Sequence, residues 1–124
     1  MSENRGSRHK PVEIRLKRAE KALEIEFDDG KTFRLPAELL RVESPSAEVQ
    51  GHGPGQRTLV AGRRHVGIMA VEPIGNYAIR IKFDDLHDTG IFSWDTLYDY
   101  GERQDELWRN YLEALKTRGL SRDP

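Results

Sequence analysis

The chain has 124 residues, enough for one domain with one core, and its 36% hydrophobic and 33% charged residues fall in patterned runs. Twenty basic and 21 acidic residues leave a net charge of −1, so there is no general electrostatic reason to bind nucleic acid or an anionic membrane. The absence of cysteine excludes disulfides, thiolate zinc sites, cysteine-ligated iron–sulfur clusters and a cysteine nucleophile.

No apolar stretch reaches the roughly 20 residues that cross a bilayer. The start, MSENRGSRHKP, lacks the apolar segment of a secretory signal, so a cytoplasmic protein is expected. Residues 1–10 are polar and read as a disordered leader. Val12–Leu16 and Leu23–Phe27 then alternate apolar and polar, as strands with one wet face do. Asp28-Asp29-Gly30-Lys31 supplies a turn, with Gly30 suited to a positive φ, and Thr32–Leu35 returns as a third strand. Pro36 fits the first turn of a short helix over Ala37–Val42, with Leu39 and Leu40 facing inward.

The following ESPSAEVQGHGPGQRTLVAG, rich in glycine and proline, is expected to be largely irregular, with a loop over 50–65. Residues 66–72 and 77–83 read as a second hairpin across the turn Pro73–Asn76. Residues 84–92 connect it to a helix for which Ser93 is the N-cap. Trp94, Leu97, Tyr98, Leu107, Trp108, Tyr111, Leu112 and Leu115 recur at helical spacing. Gly101 is expected to interrupt this pattern, leaving a short helix and then an amphipathic one from about Glu102 to Lys116, with Gly119 as the stop. Trp94, Tyr98, Trp108 and Tyr111 read as packing residues. Part of the stripe Trp108, Leu112 and Leu115 is expected to be exposed and to want a partner.

The fold class is α+β: a small antiparallel β-sheet domain of about six strands, with a short helix after the third strand and a C-terminal amphipathic helix. The chain divides into a leader (1–10), the domain (11–101), the helix (102–118) and a tail (119–124).

The stretch FDDLHDTGIFSW, residues 83–94, gathers Asp84, Asp85, His87 and Asp88 in the connection that leads to Ser93. Binding residues are often displayed in such a connection. The same residues also make a turn, since aspartates cap local N–H groups and Gly90 permits a tight bend. Both readings stay open at this level.

The blocks SPSAEV, GNYA and HDTGIFSW, within about residues 11–101, resemble the DUF971 family, which is similar to the N-terminal domain of gamma-butyrobetaine hydroxylase. The resemblance implies a small α+β domain on antiparallel sheet. It also implies a structural zinc held by three cysteines and a histidine. The cysteine positions fall at Ser44, Ser46 and Val49, and the histidine at His87. Serine hydroxyls stay protonated near neutral pH and valine offers no lone pair, so the expectation is the shared frame without that zinc. If His87 is buried, it is expected to link Ser44 or Ser46 as a polar substitute. The candidate binding patch is therefore Ser44, Ser46, Asp84, Asp85, His87 and Asp88, with no metal and no cofactor.

Other chemistries have less support. His52, His65 and His87 with the nearby aspartates match no recognised metal spacing. Gly51–Gly55 lacks the rest of a phosphate-binding loop. Ser44 or Ser46 with His87 has no nucleophile elbow. Arg57, Arg63, Arg64 and His65 form a basic cluster able to hold an anion, or a solvated turn. The resemblance implies a non-catalytic accessory module with a protein partner and a role beside iron–sulfur protein maturation, because related domains are fused to cluster-carrying ATPases. The alternative is a small-molecule or metal-binding regulatory domain using His87 and Asp85.

Overall fold

The computed structural model describes residues 8–51 and 57–124. Residues 1–7 of the expected leader, and His52 with its glycine-rich neighbours, lie outside them. The elements are β1 (Pro11–Lys17), β2 (Ala22–Phe27), β3 (Thr32–Pro36), α1 (Ala37–Val42), α2 (Ala47–Gln50), β4 (Ile68–Ile74), β5 (Ala78–Phe83), β6 (Ile91–Ser93), α3 (Trp94–Glu102) and α4 (Gln104–Arg118). The strands form two antiparallel three-stranded sheets, in the orders β1-β2-β3 and β4-β5-β6. This is the α+β arrangement the patterning calls for.

Register follows from the two faces of each strand. In the first sheet Glu24 lies opposite Arg15 on one side and Arg34 on the other, and ion-pairs with both at 3.2 and 3.0 Å. In the second, Glu72 lies opposite Arg80 and pairs with it at 2.6 Å. The alternate residues turn inward. Leu23, Ile25 and Phe27 of β2 join Leu35, Ile79, Ile81, Phe83, Phe92, Trp94 and Leu97 in one core, with Leu39 and Leu40 of α1. A second cluster forms where α4 crosses the long loop, from Val42, Val49, Val60, Tyr111 and Leu115.

Several expectations are corrected. Arg8 and His9 are held rather than loose: both backbone N–H groups donate to Asp95 Oδ1, at 2.9 and 3.1 Å, and the His9 ring stacks on Tyr98. The described part of 43–62 is largely irregular, as expected, apart from the four-residue α2, and the connection 84–92 includes the start of β6, which pairs Ile91 with Arg80. β4 runs two residues later than 66–72. Gly101 does not break the helix, which continues to Glu102 and turns at Arg103. A Cβ at Gly101 would sit 2.3 Å from the Phe33 ring, so glycine serves the packing of α3 on β3. Ser93 Oγ accepts from Thr96 N at 3.1 Å, as an N-cap should, and Gly119 ends α4 at φ 66 in the left-handed region. Leu112 is 40% exposed on α4, whereas Leu115 is buried. Among the described residues no helix is long and apolar enough to cross a membrane.

Candidate functional site

The site is built from the C-terminal end of α1 and the turn between β5 and β6. A helix end leaves carbonyls without intrahelical donors, and here distant side chains supply them. Arg57 donates to Val42 O at 3.4 Å, the Tyr100 hydroxyl to Glu43 O at 2.6 Å, and Gln50 Nε2 to Ser44 O at 2.9 Å. These bonds fix the course of Ser44-Pro45-Ser46. Burial, with Glu43 close by, pushes the Tyr100 phenol up to about 12.

The opposite wall is the stretch after Phe83, and it is a turn. Leu86 N donates to Phe83 O at 3.1 Å and Phe83 N to His87 O at 2.9 Å. Asp85 Oδ1 accepts from His87 N at 3.1 Å, the aspartate-turn geometry that sequence favours. The other carboxylate oxygen takes Arg41 Nε and Arg63 Nε, each at 2.7 Å. Burial alone would raise the Asp85 carboxyl. The Arg41 guanidinium, the His87 amide and Arg63 outweigh it and hold the group below its usual range.

Across this turn His87 meets both serines. His87 Nε2 lies 3.0 Å from Ser44 Oγ and 3.3 Å from Ser46 Oγ. Ser44 is 0% exposed, and Ser46 and His87 are each 6% exposed. Ser44 Oγ also accepts from Ser46 N at 3.4 Å. Gly90 makes the approach possible, because a Cβ there would stand 2.4 Å from Ser44 Oγ.

Of the six candidate patch residues, four come together: Ser44, Ser46 and His87 directly, and Asp85 through the His87 amide. Asp84 and Asp88 are exposed and do not join them. The basic cluster is divided among carboxylates, with Arg57 on Glu43, Arg63 on Asp85 and Arg64 on Asp123. Arg41 had no signal in the sequence, since an arginine on a short helix reads as its wet face.

The zinc that the resemblance implies does not fit these residues. Of the four positions only His87 offers a strong ligand, the serines are hydroxyls, and Val49 is packed among apolar side chains. Among the described residues no three His, Cys, Asp or Glu side chains gather as a group that could hold a metal.

The profile of the gamma-butyrobetaine hydroxylase-like N-terminal domain matches residues 14–98, which include both walls of the site. The chain belongs to this family. Two solution NMR structures are each 48% identical to it with a TM-score of 0.82; one alignment covers 94% of this chain and 91% of the other, the second 100% and 92%. A crystal structure of a protein of unknown function from Acidithiobacillus ferrooxidans, placed in the DUF971 family, is 40% identical with a TM-score of 0.60. It covers 71% of this chain and 88% of its own. No curated protein matches. In this member of the gamma-butyrobetaine hydroxylase-like N-terminal family, the serine–histidine node thus sits inside the matched region, at the positions where a zinc is implied.

Proposed function

We propose that this domain is a non-catalytic, cytoplasmic accessory module that binds a protein partner through the tip of the β5–β6 turn, with the implied zinc replaced by the Ser44–Ser46–His87 node. Leu86 carries the reading. It stands at that tip 82% exposed with φ 73. A lone exposed leucine is ordinary. One held in the left-handed region is not, because that conformation disfavours an L-residue by roughly 1–2 kcal/mol and glycine or asparagine would relieve it. Neither stability nor solubility asks for leucine there, whereas contact with a partner does. The buried node supports the same reading, since side chains sealed from solvent offer a substrate no access. Iron–sulfur protein maturation is the setting we propose for that partner, by resemblance. With no cysteine, the module would recognise or position a client and hold no cluster of its own.

The test pairs two measurements. Thermal melts of metal-stripped protein with and without zinc or iron(II) should coincide. Binding to purified iron–sulfur scaffold and carrier proteins should be saturable, and lost in Leu86→Ser while its melt is kept. A rise of several degrees with stoichiometric metal would move Asp85 and His87 to a ligand-binding role.

A further inference from the structure

Residues 119–124 read as a tail, yet they fold back on the body. Gly62 N donates to Ser121 O and Arg64 N to Arg122 O, both at 2.9 Å, which ties the segment to residues 62–64. Arg122 then enters a pocket. Its Nε donates to Glu38 Oε2 at 2.9 Å and its Nη2 to Glu38 Oε1 at 2.7 Å, a two-pronged fit. The guanidinium carbon lies 5.0 Å from the centre of the Trp108 ring. Glu38 is only 6% exposed, so its charge is provided for by a guanidinium and by little water.

The pocket exceeds what fills it. A cavity of about 320 Å³ adjoins Arg122, walled by Pro36, Leu39 and Trp108, with Asp105 adding a second carboxylate. The occupying segment is weakly anchored, because no residue from 119 to 124 is buried. Its hold rests on the arginine, the two backbone bonds and an ion pair of Asp123 with Arg64.

We propose that the Glu38–Trp108 pocket is a recognition site for an arginine-bearing segment of a partner protein, and that Arg122 occupies it as an internal competitor. A segment in trans would take the same backbone bonds from Gly62 and Arg64, set its guanidinium against Glu38, and place an apolar neighbour in the unfilled part of the cavity. This site is separate from Leu86 and does not depend on the reading given above.

The first test uses the intact chain. Detachment of 119–124 should let the Gly62 and Arg64 amides exchange with solvent at least about a hundredfold faster than that of Ile81 in the core. Exchange at the Ile81 rate would make the segment a fixed part of the fold and overturn the proposal. The second uses Arg122→Ala, followed by amide and indole NMR signals. The peptide Leu-Ser-Arg-Asp-Pro should saturably shift the Trp108 indole and the Gly62 and Arg64 amides. The unaltered chain should bind at least about tenfold more weakly, because its own arginine competes at high effective concentration. Glu38→Gln combined with Arg122→Ala should abolish binding. A folded Arg122→Ala that ignores millimolar peptide, or that binds the same peptide with alanine for arginine equally well, would refute the site.

Discussion

Replacing Ser44 and Ser46 by alanine, singly and together, tests the node through its non-additivity. One imidazole nitrogen serves two hydroxyls, at 3.0 and 3.3 Å, so either alanine leaves it one partner. Each single change should therefore cost about 1 kcal/mol, the net worth of one hydrogen bond. The double variant leaves Nε2 without either hydroxyl in a residue only 6% exposed. Removing both hydroxyls from one buried ring nitrogen adds roughly 1–3 kcal/mol, so the double should lose about 3–5 kcal/mol against a sum of about 2. A fold of this size holds roughly 5–15 kcal/mol, and the double variant should remain folded at room temperature. Urea unfolding followed by circular dichroism, with unchanged m, gives the three differences. Additivity within about 0.5 kcal/mol would show that the serines do not share the histidine and would refute the reasoning.

Gly90→Ala should destabilise by about 1–3 kcal/mol in the same assay, because its Cβ would stand 2.4 Å from Ser44 Oγ. Gly101→Ala should also destabilise, although alanine is the better helix former by about 1 kcal/mol, because its Cβ meets the Phe33 ring at 2.3 Å. Leu86→Asn should leave stability unchanged or raise it by up to about 1 kcal/mol, by relieving φ 73. The carboxyl of Asp85 is depressed in the fold, so its contribution is present above about pH 3.9 and is lost as pH falls through its lower folded value; Asp85→Asn should flatten the acid limb of stability against pH. Tyr100 and Tyr111 are both raised to about 12, so absorbance titration should show two phenols ionising there, with their stabilisation complete below about pH 10 and lost as pH rises through 12.

What the sequence discloses depends on how local each cause is. Leu23–Phe27 and the residues of β5 declare themselves because one face is wet and the alternation is written in neighbouring residues. The Asp85 turn is equally local, an aspartate capping an amide two residues on. β6 is three residues long and carries too little alternation to be read. Gly101 misleads because its cause is tertiary: a glycine in a helical pattern suggests a break, and only Phe33 explains why it lies inside one. The meeting of Ser44, Ser46 and His87 was legible through the chemistry of the implied zinc positions, as residues that could bind one another but not a metal. Arg122 against Glu38, 84 residues apart, left no trace in any pattern.

A structural zinc contributes about 10–16 kcal/mol to the folding of the small domains that rely on it, whereas two hydroxyls on an imidazole contribute a few. The frame around this node is correspondingly cross-braced. Asp85 joins α1 to the turn and the long loop through Arg41 and Arg63, and the carbonyls after α1 are taken by Arg57, Tyr100 and Gln50 from three further parts of the chain. Of these bonds, Arg41 to Asp85 joins the two walls directly, as a shared metal would, and the others anchor one wall or the other to the rest of the chain. The node then has only to fix which atoms face each other, a task for which direction matters more than strength. Its hydrogen bonds tie the β5–β6 turn, which carries the exposed Leu86, to the chain that follows α1. If Leu86 is the partner contact proposed above, the Ser44→Ala, Ser46→Ala double variant should bind that partner more weakly in titration while its circular dichroism spectrum stays that of the folded protein.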